Sequence, residues 1–352
     1  MIPVFDGHND ILLRLLNAPD RREAIWLGKD GTGHLDLPRM KKAGFAGGFF
    51  AIYVPSPHGP DDPDFDALMV QTPYEVPLPA LIDHATAQPT AMAMAGALLW
   101  MERVAGGAFK VCRSAAEVRA CVADGTIAAI MHMEGAEAIG PDLDALHLWH
   151  AAGLRSLGPV WSRPTLFGHG VPFKFPGDPD TGPGLTDAGK ALVRECDGLG
   201  IMIDLSHLNE KGFDDVAAIS NRPLVATHSN AHAISASTRN LTDRQLAAIR
   251  DSDGMVGLNF ATVFLRPDGL RTGDFGWDVM LRHLDHLVTH LGETRVGFGS
   301  DFDGAPMPDP IGDVTGVQGL CDAMLAHGFG ADLVRRIACD NWLALLGRSL
   351  PG

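Results

Sequence analysis

The sequence contains few cysteines and no paired cysteine motif. The five cysteines are scattered and odd in number: Cys112, Cys121, Cys196, Cys321 and Cys339. No two of them are separated by two residues, so neither a disulfide framework nor a thiolate zinc site is indicated. We expect reduced and mostly buried thiols, because unpaired cysteine is among the most buried residue types.

Basic residues are also scarce, and long apolar runs are absent. The 352 residues include 28 Lys and Arg against 43 Asp and Glu, a formal net charge of −15. This balance argues against nucleic acid or an anionic membrane surface as the main partner. No apolar run approaches the roughly 20 residues needed to span a bilayer, and the first residues lack a basic stretch followed by an apolar signal core. We therefore expect a cytoplasmic protein without a membrane anchor.

Eight short apolar, β-branched or aromatic runs recur along the chain. They cover residues 3–7, 46–54, 127–133, 154–160, 201–206, 224–228, 255–261 and 296–300. Amphipathic patterns lie in the gaps, including 115–123, 187–199 and 242–250, the last with Thr242 as a helix N-cap. Apolar strands that alternate with helices indicate a parallel sheet, and eight such units predict a (β/α)8 barrel. An open doubly wound sheet is the alternative, but no Gly-x-Gly-x-x-Gly turn follows the first run.

Two stretches interrupt this alternation. Residues 55–79 are rich in Pro and Asp, and residues 162–183 are rich in Pro and Gly. Both follow predicted strand ends on the side where barrel active sites lie. Because loops of this length in a compact protein are usually functional or disordered, we interpret them as walls over a pocket rather than linkers. Residues 1–352 are accordingly predicted to form a single domain.

Residue types that bind metals follow several of the apolar runs. In chain order they are His8 and Asp10, Glu134, His207, His228 and Asp301. Taken singly, each has an ordinary explanation, since a histidine can be hydrogen-bonded in a core and an aspartate can serve a turn. Taken together, nitrogen and oxygen ligands at repeated strand ends predict one shared site for zinc or a similar divalent ion.

The motifs around these residues resemble those of the membrane (renal) dipeptidase family, peptidase family M19, within the amidohydrolase-like barrels. The matching segments are Asp6-Gly7-His8-Asn9-Asp10, Met133-Glu134-Gly135, Asp204-Leu205-Ser206-His207, Thr227-His228-Ser229-Asn230-Ala231, Ser237-Thr238-Arg239-Asn240 and Gly299-Ser300-Asp301-Phe302-Asp303-Gly304. They run from the first predicted strand to the last, so the resemblance covers essentially the whole chain.

The resemblance implies two Zn²⁺ ions per chain, with other divalent ions as an option. His8 and Asp10 would hold one ion, His207 and His228 the second, and Glu134 would bridge both. A hydroxide between the two ions would be the nucleophile, so the protein need not supply a serine or cysteine. The implied activity is hydrolysis of the peptide bond of dipeptides that carry a free C-terminal carboxylate.

Three further residues have roles implied by the resemblance. Asp301 would transfer the proton of the water to the leaving amine. Arg239 matches the residue that binds the carboxylate of the dipeptide, a task that suits the planar guanidinium fork. Without the resemblance, Arg239 would be interpreted as a solvated loop residue. Asn259, at the end of the seventh predicted strand, is a weaker candidate for a hydrogen bond to the substrate.

The chain departs from the family pattern after the fourth predicted strand. The family has a histidine there that helps to hold the substrate carbonyl, whereas this sequence has Trp161. His169, between two glycines of the same loop, is a candidate to supply the missing hydrogen bond, and Trp161 is expected to form a pocket wall. A solvated loop histidine is the alternative interpretation of His169.

Two other functions remain open from the sequence. One is a related metal-dependent amidohydrolase that acts on N-acyl amino acids, and the other is a catalytically silent barrel that only binds metal. Asp301 argues against the silent barrel, because a structural metal site needs no proton carrier. The expected partner is a small dipeptide substrate, and the sequence is compatible with a homo-oligomer.

Overall fold

Eight parallel strands form a barrel in the computed structural model, which describes residues 1–57 and 65–350. The described residues contain eleven strands, of which β3, β4 and β7 lie outside this set of eight. In chain order they are β1 (Val4–Asn9), β2 (Phe45–Tyr53), β3 (Tyr74–Glu75), β4 (Phe109–Val111), β5 (Ile127–Glu134), β6 (Leu154–Gly158), β7 (Lys174–Phe175), β8 (Met202–Ile203), β9 (Val225–Ala226), β10 (Met255–Asn259) and β11 (Val296–Gly299). The hydrogen-bonded order is β8-β6-β5-β2-β1-β11-β10-β9. A parallel bridge between Asp204 and Val225 brings β8 and β9 together. The predicted (β/α)8 barrel is therefore confirmed, and an open doubly wound sheet is excluded.

Helices alternate with the strands and cover the outside of the barrel. They are α1 (Ile11–Asn17), α2 (Arg22–Trp26), α3 (Leu37–Lys42), α4 (Phe65–Leu68), α5 (His84–Val104), α6 (Ala115–Asp124), α7 (Asp144–Ala152), α8 (Asp187–Leu199), α9 (Glu210–Ile219), α10 (Asp243–Asp251), α11 (Thr262–Leu265), α12 (Trp277–Leu291), α13 (Val317–His327), α14 (Gly330–Arg335) and α15 (Asn341–Ser349). The three amphipathic patterns correspond to α6, α8 and α10. Among the described residues, no helix has both the length and the apolar character needed to cross a membrane.

Side-chain caps define where many of these helices begin. Residues whose side chains accept a hydrogen bond from the backbone N–H three positions later are Asp36, Asp83, Ser114, Thr186, Asn209 and Thr242. Such a bond satisfies one of the four N–H groups that a helix start leaves unpaired. At Thr242 the side chain of Gln245 also accepts from the Thr242 backbone, which completes a capping box. The predicted N-cap at Thr242 is confirmed.

Trp342 closes the N-terminal end of the barrel. Its indole Nε1 donates a hydrogen bond of 2.9 Å to the carbonyl oxygen of Phe298. The ring lies against backbone that lacks side chains, because a Cβ at Gly7 or Gly297 would approach it to 2.5 Å or 2.4 Å. Glycine is thus required in β1 and β11 by a side chain more than 40 residues away. A fully buried aromatic plug leaves the C-terminal end as the open side of the barrel.

The two predicted wall loops are joined over this open end. Strand β3 of the first loop pairs antiparallel with β7 of the second, with Tyr74 opposite Phe175. The rings of these two residues lie 6.2 Å apart, and Phe173 and Phe264 belong to the same apolar cluster. The described parts of the two loops therefore form one cover, and residues 58–64 of the first predicted loop lie outside the described residues. All five cysteines are buried and free, as predicted.

Candidate metal centre and substrate cavity

Five predicted metal ligands converge at the C-terminal end of the barrel. Glu134 is the last residue of β5, His207 and His228 follow β8 and β9, His8 lies near the end of β1, and Asp10 precedes α1. Each is at most 5% exposed. Parallel strands carry their C-terminal residues to one edge, which is why positions far apart in sequence meet here.

Glu134 lies between two sets of histidines. Its Oε2 atom is 3.6 Å from Nε2 of His8. Its Oε1 atom is 3.0 Å from Nε2 of His207 and 3.3 Å from Nε2 of His228. Asp10 is on the His8 side, with Oδ2 3.3 Å from the His8 Nε2 atom. The two oxygens of one carboxylate therefore face different imidazole nitrogens, Oε2 that of His8 and Oε1 those of His207 and His228, and the rings of His8 and His228 lie 3.8 Å apart.

The Nε2 atom of His228 faces this carboxylate and lies 3.1 Å from the Nε2 atom of His207. Thr227 Oγ1 donates to Asp204 Oδ2 at 2.6 Å, so it accepts the Nδ1–H of His228 at 2.9 Å. His228 is thereby held as the tautomer whose Nε2 has only a lone pair. The fully buried ring of His8 has no hydrogen-bond partner for either nitrogen among the described residues. Burial lowers the pKa values of both rings, which keeps them neutral.

Buried carboxylates add a strong requirement for positive charge. Burial raises the pKa of Asp10 to about 7 and raises the pKa of Glu134 well above its ordinary value, with the nearby Asp10 charge as a further cause. Ionised carboxylates in such a place are costly unless a cation compensates them. Neutral imidazole nitrogens and carboxylate oxygens are the ligands that Zn²⁺ prefers. The residues therefore fit divalent metal binding on both sides of Glu134.

Asp301 borders the same centre on the His8 side. One carboxylate oxygen each from Asp10 and Asp301 and one nitrogen of His8 lie within 4.8 Å of one another. Asp301 has a backbone φ of 61°, a left-handed conformation that is uncommon outside glycine. Its Oδ2 accepts a hydrogen bond of 3.0 Å from Asn259 Nδ2. Burial, followed by the charge of Asp10, raises the pKa of Asp301 to about 6.

Asn259 has its polar groups occupied within the protein. Besides the bond to Asp301, its Oδ1 accepts from the backbone N–H of Ala261 at 2.6 Å. Its own N–H donates to Asn230 Oδ1 at 3.0 Å, and its carbonyl accepts from Asn230 Nδ2 at 3.0 Å. Asn259 therefore holds Asp301 with one N–H of its amide, and its predicted hydrogen bond to the substrate stays a prediction.

Arg239 is a buried guanidinium without an ion-pair partner among the residues that the structure describes. Its Nη1 donates to Ser229 Oγ at 3.3 Å, its Nη2 donates to the His228 carbonyl at 3.1 Å, and its Nε has no partner among the described residues. The guanidinium lies over the ring of Phe264 at 5.3 Å. Burial lowers the pKa of Arg239 to about 10. A buried positive charge without a compensating negative charge is costly. Arg239 therefore favours an anionic ligand.

A cavity of about 220 Å³ opens above the metal ligands. Four aromatic residues line it: Tyr53, Trp161, Phe173 and Phe264. The ring of Trp161 lies 5.1 Å from that of Tyr53, 5.5 Å from that of Phe173 and 5.8 Å from that of His207. The predicted position of Trp161 in a pocket wall agrees with this geometry.

His169 does not join the residues that line this cavity in the described part of the chain. It is half-buried and forms a backbone bridge with Pro164, and its carbonyl accepts from the N–H of Asn209 at 3.3 Å. The glycines beside it thus serve a tight loop. The structure gives the imidazole no contact with the metal ligands.

Two further residues lie at the centre without any sequence motif that indicates them, Tyr53 and His132. Tyr53 is the last residue of β2, directly opposite Glu134 in register. His132 is two residues before Glu134, so it shares the same strand face, and its ring lies 5.5 Å from that of His8. Its Nδ1 is bonded to Ser156 Oγ at 2.9 Å. Because side chains alternate between the two faces of a strand, the position of His132 two residues before Glu134 could have predicted that both share one face. Tyr53 looks in the sequence like an ordinary strand residue.

The chain is similar to known proteins over nearly its whole length. A sequence model of the membrane dipeptidase family, peptidase family M19, matches residues 1–348. The crystal structure of a metallo peptidase from Rhodobacter sphaeroides, liganded with a phosphinate mimic of the dipeptide L-Ala-D-Ala, is 69% identical, covers 99% of each chain and has a TM-score of 0.97. The chain belongs to the membrane dipeptidase family of metallopeptidases.

Two other similar proteins extend the comparison. The structure of dipeptidase AC, a family M19 metallo peptidase, is 68% identical, covers 100% of this chain and 99% of that chain, and has a TM-score of 0.97. An uncharacterized protein in the pqqA 5′ region of Klebsiella pneumoniae is 46% identical over 240 residues, which cover 68% of this chain and 89% of the relative. Membership makes this chain a metal-dependent peptidase of the dipeptidase type.

Proposed function

We propose that this chain, acting as a single domain, hydrolyses dipeptides with a free C-terminal carboxylate at a centre of two divalent ions, most suitably Zn²⁺. His8 and Asp10 would hold one ion, His207 and His228 the other, and Glu134 would bind both. The observation that carries the proposal is the division of the Glu134 oxygens, Oε2 toward His8 and Oε1 toward His207 and His228. When bound, such a pair of ions polarises a carbonyl and lowers the pKa of a water.

Asp301 would move the proton of the reaction. Its buried carboxyl has a raised pKa of about 6, which suits a group that accepts a proton from the attacking water and donates it to the leaving amine. Asn259 fixes one oxygen of this carboxyl. One oxygen of this carboxyl lies within 4.8 Å of ligand atoms of His8 and Asp10. We assign Asp301 as the acid–base residue and Asn259 as its positioning residue.

Arg239 would bind the substrate carboxylate. It is the buried cation nearest the centre without a carboxylate partner among the described residues, and its Nε has no hydrogen bond. A dipeptide would bring one carboxylate, which guanidinium binds with two parallel hydrogen bonds. The Rhodobacter sphaeroides relative binds a phosphinate mimic of L-Ala-D-Ala, and we propose L-Ala-D-Ala as the first substrate to test.

Tyr53 is our preferred donor to the carbonyl oxygen of the substrate. It lines the cavity beside Glu134, and no hydrogen bond of its hydroxyl is found in the described part of the chain. Burial raises its pKa, so the hydroxyl stays protonated and can donate. His169 remains the alternative donor predicted from the sequence. Trp161 forms the wall behind Tyr53.

Metal counting tests the proposal directly. Protein dialysed against Zn²⁺ should retain two equivalents at the barrel site and should lose all hydrolysis of L-Ala-D-Ala after chelation. Glu134→Gln keeps the shape of the bridging side chain but removes its charge, so it should weaken the binding of both ions. Asp36→Asn, which changes the N-cap of α3 far from the centre, is the matched control. Full activity in metal-free protein would refute the proposed function.

A further inference from the structure

A second cluster of metal-ligand side chains lies outside the barrel centre, between α10 and α12. It consists of Asp243, His286 and His290, and we propose that it binds one divalent transition-metal ion of the Zn²⁺ class. No part of the proposed dipeptidase centre contributes to it. This proposal therefore adds a separate binding site to the protein and does not depend on the proposed function.

The two histidines are arranged by the helix itself. His286 and His290 are four residues apart in α12, so their side chains lie on one face of the helix. Their rings stack with centroids 4.2 Å apart and an angle of 24°. Both rings are partly exposed, with 20% and 32% of the side chain accessible. An ion and its water ligands can therefore reach them.

Asp243 supplies a carboxylate to both rings from a different helix. Its Oδ1 lies 2.7 Å from Nε2 of His286, and its Oδ2 lies 3.9 Å from Nε2 of His290. The second distance is too long for a hydrogen bond. One ligand atom from each of the three residues lies within 4.8 Å of the others. The cluster thus presents two nitrogens and one carboxylate oxygen toward a common point.

No neighbouring basic side chain fills that point in the described structure. Arg282, one turn earlier on α12, is directed to Asp278, with Nη2 3.5 Å from Oδ2. A hydrogen bond between Asp243 and His286 satisfies only one imidazole and leaves Nε2 of His290 unbonded. A cation would use both rings and the carboxylate at once, with water in the remaining positions.

The donor set determines which ions are suitable. Imidazole nitrogen with one carboxylate suits Zn²⁺, Ni²⁺, Cu²⁺ and related ions, whereas Mg²⁺ and Ca²⁺ prefer oxygen ligands. Because the ligands come from α10 and α12, a bound ion would join two helices that flank β10. We expect the bound ion to stabilise this side of the barrel, since a ligand that binds only the folded state raises the free energy of unfolding.

The test is a titration of the holoenzyme with Zn²⁺, measured by isothermal titration calorimetry. Metal counting after gel filtration gives the number of ions that stay bound. The parent should bind one equivalent more than His286→Asn or His290→Asn, whatever number the barrel centre holds. Zn²⁺ at that extra equivalent should raise the Tm of the parent and leave the Tm of both variants unchanged. Mg²⁺ should reproduce neither effect.

His327→Asn is the matched control, because His327 is another surface histidine paired with an aspartate, Asp285, at 2.8 Å. It should bind the same number of ions as the parent. An equal metal count in the parent and in either α12 variant would overturn the proposal. Loss of the extra ion in the His327 control would also overturn it, since the binding would then be non-specific.

Discussion

The imidazole of His283 forms hydrogen bonds to two segments beside the site, at Ala231 and at Leu265, and both bonds require the same tautomer. Its Nδ1 accepts a hydrogen bond of 3.2 Å from the backbone N–H of Ala231, so Nε2 carries the proton and donates to the carbonyl of Leu265 at 2.9 Å. The ring is fully buried. Burial lowers the pKa of His283 to about 4. The segment after β9 is thereby held to α11, which carries Phe264 at the cavity.

This linkage predicts an acid-sensitive contribution to stability. The unfolded chain protonates His283 near pH 6.5, whereas the folded chain resists protonation until about pH 4. Folding stability from this residue is therefore intact above about pH 6.5 and falls as pH decreases to about 4, by roughly 3 kcal/mol in total.

The variant His283→Gln keeps one donor and one acceptor but cannot titrate. It should be less stable than the parent at pH 7.5 and should lose less stability between pH 6.5 and pH 4. Urea unfolding at several pH values measures this difference. Parallel pH profiles for the two proteins would show that His283 does not titrate with a depressed pKa.

Asp301→Asn should separate proton transfer from metal binding. We expect kcat to fall by about 10²–10⁴-fold, the usual scale for loss of an acid–base group. The bound metal should be retained, since five other residues are assigned as ligands. Asn259→Ala, which removes the 3.0 Å hydrogen bond to Asp301, should lower kcat by a smaller factor with KM little changed. A kcat for Asp301→Asn close to that of the parent would remove Asp301 from the acid–base role.

Arg239→Ala should discriminate between substrates by their C-terminal charge. Dipeptides with a free carboxylate should lose roughly 2–5 kcal/mol of transition-state binding if the pair is buried. The corresponding dipeptide amides, which are expected to be poor substrates of the parent, should lose little more. Arg239→Lys keeps the charge without the bidentate fork and should lie between the two. Equal losses for acids and amides would contradict carboxylate binding by Arg239.

Three variants identify the donor to the substrate carbonyl. Tyr53→Phe removes only the hydroxyl and should lower kcat/KM by about 10²–10³-fold, as for loss of one oxyanion donor. It should weaken a phosphinate dipeptide mimic by a comparable factor, because the tetrahedral phosphinate resembles the transition state. Trp161→Phe and His169→Ala should remain within about threefold, or less than 1 kcal/mol.

Each result in this series has a definite interpretation. A large loss in His169→Ala with Tyr53→Phe unaffected would restore the assignment predicted from the sequence. A large loss in Trp161→Phe alone would assign the role to the indole N–H. Metal counts and circular dichroism spectra of all three variants provide the control for damage to the centre or the fold.

The repeated strand pattern made the fold predictable. The runs 127–133 and 255–261 correspond to β5 and β10 because strands buried on both faces are continuously apolar. The strand lengths were harder to predict, since β8 and β9 contain only two residues each. The outer strand β4, which pairs with β5, carries no signal that distinguishes it from a helix end.

The amino-acid sequence by itself determined the barrel, the family and the set of candidate ligands. Those features are encoded locally, by apolar period, by capping residues such as Thr242 and by ligand types that directly follow strands. Tertiary structure alone decided which oxygen of Glu134 faces which histidine, that Asn259 supports Asp301, and that Tyr53 lines the cavity whereas His169 does not. These relationships depend on strand register and side-chain direction across the barrel, and residues far apart in sequence acquire them only when the strands pair.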